Sequence, residues 1–311
     1  MSSERTPARV VAGHGSVVTV GTFDGVHRGH QDVLSRVAAR AALSGLAGVL
    51  VTFSPHPAEV LKPERAPMML TPGDEKVEVL AESGLDYAVV LPFTRGLAAL
   101  SAEEFVERVL VPRYGMRELV IGYDHGFGRD RAGSVEVLAR LGETRGFPVE
   151  VVPPLRMPDG DTVSSTKIRD AVSRGDLERA AVALGRAYSV SGLVGRGEQR
   201  GRLLGFPTIN VSLGSARKLL PPAGVYAVRV QTPAGSFGGM MNLGPRPTFG
   251  DDTLSIEAHL FGTAADLYGA RVRVDLVARL RDTRRFESAE ALVGQLTEDA
   301  SHARRVLGAA P

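Results

Sequence analysis

The sequence of 311 residues contains no cysteine. This absence excludes a disulfide framework, a zinc site built from thiolates, an iron–sulfur cluster and a cysteine nucleophile. Any catalysis or metal binding must therefore use oxygen and nitrogen groups. Lysine is scarce as well, because only four of the 37 basic residues are lysines and arginine carries the remaining positive charge. The guanidinium fork of arginine suits the oxygen atoms of phosphates.

Long apolar segments and aromatic residues are also lacking. No stretch of about 18 apolar residues occurs, and the first twenty residues contain no apolar segment of signal-peptide length. We therefore expect a cytoplasmic protein with no membrane partner. Aromatic residues form 5% of the chain, tryptophan is absent and no Lys/Arg-rich run occurs. These features disfavour nucleic acid as a partner despite a pI near 9.0.

The length and the order of sequence patterns predict two domains. From Ser16 to about Leu155, short valine-rich runs alternate with amphipathic helical patterns, and Ser101 and Glu104 form a capping-box pattern. This alternation predicts an α/β fold, a doubly wound parallel sheet of the Rossmann-like type. Such sheets bind ligands at the carboxyl ends of their strands, so the functional motifs are expected there.

The pattern changes after about Gly185, where strand-like segments follow one another without helices between them. We predict an antiparallel β-barrel of six strands, closed by a C-terminal helix from about Ser288 to Leu307. The predicted domains are residues 1–186 and 187–311. The helices between Thr166 and Leu184 are assigned to the first domain.

The first candidate site is the string GTFDGVHRGH, residues 21–30, which follows the first strand and leads into a helix. A glycine-lined turn lets backbone N–H groups approach phosphate, and the helix N-terminus adds about half a positive charge. His27 and His30 share one face of the first helical turn and could donate hydrogen bonds to phosphate oxygens. The alternative is a pair of ordinary surface cap residues. A catalytic zinc site lacks its third ligand in this segment.

This string resembles the HxGH signature of nucleotidyltransferases, in the form carried by prokaryotic bifunctional riboflavin kinase/FAD synthetases. The resemblance implies that His27 and His30 are catalytic. It also implies nucleotide contacts by the residues that precede them, which are Gly21, Thr22, Phe23, Asp24 and Gly25.

A second segment, SSTKIR at residues 164–169, also opens a helix. Its hydroxyls can cap the helix, while Lys167 or Arg169 can reach a triphosphate; alone, it is equally an N-cap with surface charges. It resembles the SSTxIR element of the same family. The resemblance implies that Ser165, Thr166 and Arg169 contact the phosphates of ATP, with Arg169 as a catalytic residue.

Two further strings resemble family elements. GYDHGFGR, residues 122–129, resembles the GxDFxFG loop, which implies that Asp124 lies near the nucleotide; His125 stands where an aromatic residue is usual. TFSPHP, residues 52–57, is either a wall beside the flavin or a proline-rich turn at the end of a strand.

The second candidate site begins with GRGEQRGRLLGFPTIN, residues 195–210, which reads as a loop that wraps a nucleotide. Thr208 and Asn210, two apart on a strand, would point to the same side and offer oxygens suited to Mg²⁺. A flexible basic hairpin is the alternative. The string resembles the GRxLGFPTxN signature of riboflavin kinase. The resemblance implies that Gly201, Arg202 and Gly205 bind the nucleotide.

Glu257 lies in SIEAHL, where alternation turns Ile256, Ala258 and Leu260 to one face and Glu257 with His259 to the other. A solvent-facing pair is the ordinary interpretation. A kinase that acts on an alcohol needs a base, whereas attack by a phosphate anion does not, which predicts a base only in the second domain. Glu257 matches the catalytic glutamate of riboflavin kinases. The strings at residues 242–250 and 266–269 match the family pattern too.

The resemblance implies a bifunctional enzyme. Its second domain would convert riboflavin and ATP, with Mg²⁺, into FMN and ADP, and its first would convert FMN and ATP into FAD and pyrophosphate. The alternatives are a monofunctional nucleotidyltransferase with a non-catalytic flavin-binding barrel, and a non-catalytic flavin sensor or RNA-binding regulator. The expected partners are therefore small molecules, namely riboflavin, FMN and ATP, and a weak homo-oligomer is left open.

Overall fold

A computed structural model describes residues 15–124, 126–129, 133–197, 200–245, 254–263 and 265–308, apart from the side chains of residues 200, 202, 245 and 254. The chain divides into two compact units, residues 1–165 and 166–311. Within the described ranges, no helix combines the length and the apolar character that crossing a lipid bilayer requires.

The first unit is built on a five-stranded parallel sheet, as the alternating pattern predicts. Its strands are β1 (Ser16–Val20), β2 (Ala47–Ser54), β3 (Tyr87–Pro92), β4 (Met116–Gly122) and β5 (Val149–Val152), in the spatial order β3-β2-β1-β4-β5. All four strand pairs are parallel. All five residues of β1 are buried in the centre of the sheet, which explains why its sequence, SVVTV, contains no charged residue.

Helices cover both faces of this sheet. They are α1 (Arg28–Ser44), α2 (Pro57–Leu61), α3 (Asp74–Leu80), α4 (Arg95–Ala98), α5 (Ala102–Phe105), α6 (Val111–Tyr114) and α7 (Val135–Arg145), with a 3₁₀ turn at Pro63–Arg65 and a π-helical turn at Val106–Leu110. The predicted capping box of Ser101 and Glu104 is present at the start of α5. One core layer joins α1 and α3 to the sheet, and the other joins α7 and the segment from α5 to α6.

Two helices, α8 (Ser165–Arg174) and α9 (Leu177–Leu184), lead into the second unit. There the helix α10 (Arg200–Leu203) accompanies six strands, which are β6 (Tyr188–Gly195), β7 (Ile209–Leu213), β8 (Gly224–Thr232), β9 (Gly235–Pro245), β10 (Leu254–Leu260) and β11 (Arg271–Arg281). These strands form a closed barrel in the order β10-β7-β6-β11-β8-β9, and every pair is antiparallel. The predicted six-stranded antiparallel barrel is confirmed.

The helix α9 contacts β6 and β11 of the barrel. The division into compact units accordingly falls between Ser165 and Thr166, whereas the sequence assigned both α8 and α9 to the first domain. The boundary between residues 186 and 187 stays a prediction.

A terminal helix, α11 (Ala289–Leu307), packs on the barrel as predicted. Its buried residues Ala300, Ala303 and Leu307 form a cluster with Ala227 and Met240. Beside this cluster, the guanidinium of Arg281 donates to both oxygens of Asp299, with Nε–Oδ1 and Nη2–Oδ2 distances of 2.9 and 2.7 Å. The Asp299 side chain is 4% exposed and that of Arg281 20%. This ion pair therefore fastens the helix to β11.

Replacing Asp299 by alanine should destabilise the second unit. The change leaves the largely buried guanidinium of Arg281 without its carboxylate, which we expect to cost about 3 kcal/mol in the free energy of unfolding. Urea unfolding followed by circular dichroism measures this loss. As a control, Asp282→Ala removes a carboxylate that is 82% exposed, so its effect should stay within about 0.5 kcal/mol. Equal unfolding midpoints for the two variants would contradict the stabilising role of the ion pair between Arg281 and Asp299.

Candidate active sites

The strand order places the loop after β1 at the switch point of the sheet. The chain moves from β1 to β2 and β3 on one side, and β4 then pairs with β1 on the other side. Ligands of open α/β sheets bind in the crevice that such a reversal leaves at the carboxyl ends of the strands. The loop from Gly21 to His27 follows β1 at this edge, and the exposed Asp124 follows β4.

The backbone of this loop is strained. Phe23 and Val26 have φ angles of 46° and 40°, and Gly25 has a φ of 82°. Positive φ is uncommon for residues other than glycine, and for a β-branched residue such as Val26 it is a genuine outlier. Strain of this kind is found at functional sites, where the surrounding contacts over-determine the conformation.

The backbone N–H groups of two glycines in the loop donate to oxygens of the protein. The N–H of Gly21 donates to Val51 O at 3.0 Å, and that of Gly25 donates to Thr71 Oγ1 at 2.8 Å. A Cβ on Gly21 would stand 2.9 Å from the ring of Phe23. Both N–H groups thus donate to protein oxygens, and the nucleotide contacts of Gly21 and Gly25 stay a prediction.

The side chain of Asp24 anchors the loop. Its Oδ2 accepts the N–H of Leu70 at 3.0 Å and its Oδ1 accepts the N–H of Thr71 at 2.9 Å. The residue is 1% exposed, and its nucleotide contact stays a prediction. The backbone oxygen of Asp24 accepts the Ser165 hydroxyl at 2.9 Å.

The two histidines lie together, as predicted. His27 is the N-cap of α1, and its Nδ1 accepts the N–H of His30 at 3.2 Å. The rings are stacked with centroids 3.6 Å apart, and the ring of Phe23 lies 4.7 Å from that of His30. Because Nδ1 of His27 is an acceptor, the proton of the neutral ring is on Nε2. Among the described residues, the buried Nδ1 of His30 has no hydrogen-bond partner.

The surroundings of His30 favour its neutral form. Burial lowers the pKa of His30 well below 6.5, and the neighbouring His27 and Lys76 lower it further. Lys76 is 5% exposed. Burial also lowers the pKa of Lys76, while Asp24 and Glu59 act in the opposite direction. At neutral pH, His30 therefore offers an uncharged ring beside a buried cation.

The other residues of the first predicted site lie in separate places. Phe23 is buried and packs against His30, and the backbone oxygen of Thr22 accepts hydrogen bonds from Thr52 and Lys76. Ser165 is the first residue of α8, while Thr166 and Arg169 belong to the second unit. Their placement against the histidines stays a prediction. His125 lies outside the described residues.

A cavity of about 430 Å³ opens in the first unit at the carboxyl end of β3. It is lined mainly by apolar side chains, including Leu91, Leu97 and Val109, together with Arg108 and Arg113. This volume falls in the range of small-molecule sites. Phe53, from the predicted flavin wall, is buried and contacts Phe93 and Phe105, with ring centroids 5.4 and 6.3 Å apart. Its ring belongs to the core.

Glu257 occupies a central position in the barrel wall. It stands opposite Asn210 of β7 and opposite Asn242 of β9. The predicted alternation is confirmed, because Ile256 and Ala258 are buried while Glu257 is half-buried. Strand pairing therefore brings one carboxylate and the Asn210 amide to neighbouring positions on two strands.

His259, two residues further along β10, is held by the protein. Its Nδ1 lies 2.8 Å from Pro207 O, and its ring has edge contacts with Phe206 and Phe261. The residue is half-buried, so a fully solvent-facing Glu257/His259 pair does not form.

The loop before β7 folds closely around Asn210. A Cβ on Gly197 would stand 2.1 Å from Asn210 Nδ2, and one on Gly201 would stand 2.4 Å from Phe206 O. Gly205, with a φ of 81°, follows α10. Thr208 lies one residue before the first residue of β7, so the prediction that it shares the strand with Asn210 is wrong at this end. The side chain of Arg202 and residues 246–250 lie outside the described residues.

The described residues contain no group of three or more His, Asp or Glu side chains arranged for a metal ion. The Asn210 and Asn242 amides lie on the strands that flank Glu257, and the Thr208 hydroxyl belongs to the residue before β7. Such hard oxygen donors fit Mg²⁺, which keeps several waters and takes the remaining ligands from substrate phosphates.

Two family models match the two halves of the chain. The model for FAD synthetase matches residues 11–167, and the model for riboflavin kinase matches residues 184–307. The chain belongs to the bacterial family of bifunctional riboflavin kinases/FMN adenylyltransferases. As a member of this family it is an enzyme with one domain of each kind, which favours the bifunctional interpretation over a non-catalytic barrel.

Relatives extend the match over nearly the whole chain. The bifunctional riboflavin kinase/FMN adenylyltransferase of Pseudomonas fluorescens is 41% identical over 93% of this chain and 92% of its own. The protein of the same name from Escherichia coli K12 is 36% identical over 94% and 93%. A crystal structure described as a macrolide-efflux protein from Streptococcus pneumoniae is 30% identical and superimposes with a TM-score of 0.83, covering 96% of this chain and 97% of that one.

Two buried residues of the first unit, Lys76 and Thr71, were not identified from the sequence. Both are buried, and both contact the loop after β1 from positions far along the chain. A signal for Lys76 was present, because it stands in a helical pattern where Val79 and Leu80 also face the core. A lysine on the buried face of a helix is rarely without a specific partner.

The lowered pKa of His30 predicts a stability that falls as pH decreases. The unfolded chain takes up a proton at this residue near its ordinary pKa of about 6.5, whereas the folded protein takes it up only at much lower pH. Between these two values the unfolded state binds more protons, so stability is lost there and is unaffected at higher pH.

We therefore expect His30→Gln to reduce the loss of stability between about pH 7 and 5, the window below the ordinary histidine pKa. The free energy of unfolding, measured with urea at a series of pH values, gives this loss of stability. His302→Gln changes an exposed histidine. Its free energy of unfolding should change with pH as that of the wild type does. If the free energy of unfolding changes equally with pH in the wild type and in His30→Gln, His30 does not contribute to the loss of stability.

Proposed function

We propose that the second unit phosphorylates riboflavin to FMN and that the first unit adenylylates FMN to FAD. The observation that carries this division is the different chemistry of the two sites. One has stacked imidazoles at a helix N-terminus, suited to binding phosphate oxygens. The other has a half-buried carboxylate on a strand, suited to accepting a proton from an alcohol. Cytoplasmic location belongs to the same proposal.

In the kinase step, Glu257 accepts the proton of the terminal ribityl hydroxyl of riboflavin. The hydroxyl oxygen bonds to the γ-phosphorus of ATP, the bond to the β-phosphate oxygen breaks, and ADP leaves. Thr208 and Asn210 would hold Mg²⁺ through their side-chain oxygens. When bound, this ion neutralises the negative charge that the phosphates carry in the transition state. The closely packed glycines at 197 and 201 set the position of the loop that carries Thr208.

In the adenylylation step, a phosphate oxygen of FMN attacks the α-phosphorus of ATP, and pyrophosphate leaves. No base is needed, because the attacking oxygen is already an anion. His27 donates from Nε2, since its Nδ1 accepts the N–H of His30. His30 and Arg169 complete the stabilisation of the charge on the phosphates. We assign the flavin ring to the cavity at the end of β3, which lies two strands, or about 10 Å, from β1.

One assay tests both reactions. The full chain is incubated with riboflavin, ATP and MgCl₂, the flavins are separated by chromatography, and ADP and pyrophosphate are measured. The proposal expects FMN and FAD, with one ADP released per FMN formed and one pyrophosphate per FAD formed. Formation of FAD only from supplied FMN would favour the monofunctional alternative. Failure to produce either flavin would contradict the proposal as a whole.

Glu257→Gln should abolish one activity and spare the other. Loss of the base is expected to reduce FMN formation by about 10²- to 10⁴-fold, while conversion of supplied FMN to FAD keeps the wild-type rate. Glu298→Gln, at an exposed position on α11, is the matched control and should leave both rates unchanged. Equal loss of both activities in Glu257→Gln would contradict the separation of the sites.

His30→Gln should have the reverse effect. We expect adenylylation to fall by about 10²- to 10³-fold, the usual cost of removing one donor to a developing oxyanion. FMN should then accumulate from riboflavin at the wild-type rate. His302→Gln serves as the control in the same chromatographic assay. A His30→Gln enzyme that still makes FAD at the wild-type rate would remove this residue from the mechanism.

A further inference from the structure

Lys76 is a buried cation directly behind the loop that carries the histidines. Its Nζ donates to Thr22 O at 2.8 Å and to Phe53 O at 3.3 Å. Thr22 lies two residues beyond the end of β1, and Phe53 is the penultimate residue of β2. One ammonium group therefore joins the chain segments at the carboxyl ends of two adjacent strands.

Within the part of the chain that the structure describes, the ammonium of Lys76 is hydrogen-bonded to carbonyls and not to a carboxylate. Both hydrogen bonds of Nζ go to backbone carbonyls, while Asp24 and Glu59 act on the ammonium without a hydrogen bond to it. Removing a lysine from water is costly unless its charge is compensated, so lysines are rarely as buried as this one. The cost implies a use for the charge at this place.

The contacts of Thr22 connect Lys76 to the histidine pair. Thr22 O also accepts the Thr52 hydroxyl at 3.1 Å, so two side chains hold the same carbonyl. Phe23 comes next, with its strained φ of 46° and its ring 4.7 Å from His30. Fixing Thr22 therefore fixes the residue that packs against His30.

We propose that Lys76 is a positioning residue for adenylyl transfer: its ammonium ties the loop after β1 to the end of β2 and holds Phe23 and the histidine pair in place. This inference rests on the proposed function of the first unit. It adds a second effect, because the charges that act on His30 are those of His27 and Lys76. Removing the charge of Lys76 should raise the pKa of His30.

Three variants separate the effects of Lys76. Lys76→Met removes the charge and the hydrogen-bond donors, whereas Lys76→Gln removes the charge and keeps an N–H donor. Lys62→Met is the control, since Lys62 is an exposed lysine of the same unit. For each full-length variant, the rates of FMN adenylylation and riboflavin phosphorylation are measured. The pKa of His30 is measured by NMR titration of the imidazole signals without substrate.

We expect Lys76→Met to lose about 10- to 100-fold in FMN adenylylation, as follows from a small displacement of reacting groups. Its riboflavin phosphorylation should match that of Lys62→Met, and the pKa of His30 should rise. Lys76→Gln should show the same rise in the pKa of His30 and a smaller loss of adenylylation. A role in folding alone would leave the adenylylation rate per folded molecule of Lys76→Gln unchanged.

Two results would overturn the inference. One is adenylylation by Lys76→Met at the rate of Lys62→Met, and the other is an unchanged pKa of His30 in both Lys76 variants. If Lys76→Met fails to fold, the rate of adenylylation and the pKa of His30 are measured in Lys76→Gln, and these two results test the inference. A wild-type enzyme that makes no FAD from FMN would instead contradict the proposed function, whereas the titration of His30 tests Lys76 independently of any substrate.

Discussion

The first site depends on the backbone path between β1 and α1. Phe23 and Val26 adopt positive φ angles that their side chains disfavour. Two tertiary contacts hold that path: the side chain of Asp24, within the loop, accepts N–H groups of a distant turn, and Lys76 donates to the Thr22 and Phe53 carbonyls. The geometry of the histidine pair is thus a product of tertiary contacts. Local sequence alone would relax to an ordinary turn.

The two units handle phosphate in different ways that follow from their folds. In the parallel sheet, the strand order opens a crevice beside β1, and the adjoining helix begins with two aligned imidazoles. In the barrel, antiparallel pairing sets Glu257 opposite Asn210, so that register selects the neighbours. The first arrangement suits the stabilisation of charge, and the second suits the placement of a base beside a cation ligand.

Much of this organisation was predictable from sequence periodicity and signature strings. The buried strands, the capping box at Ser101, the stacked histidines and the alternation around Glu257 all follow from local patterns that the structure confirms. The anchors were not predictable in the same way. Asp24 meets Leu70, and Lys76 meets Thr22, across 46 and 54 residues of chain. No local pattern encodes such pairs.

Tertiary contacts narrow the roles that a residue type permits. A glycine-lined turn can expose its N–H groups to phosphate, whereas in the structure the N–H groups of Gly21 and Gly25 donate to Val51 and Thr71. Thr208 was placed on a strand that begins one residue later. In each case a residue type permits several roles, and only the surrounding contacts select one.

Ring closure of the barrel has a consequence for movement in the second unit. The strand that bears Glu257 hydrogen-bonds to a neighbour on each side, so the backbone at Glu257 cannot shift without breaking two ladders at once. The wall of the barrel thus forms a fixed frame around this position. If Glu257 is the base, as proposed, its main chain keeps the same place in every turnover.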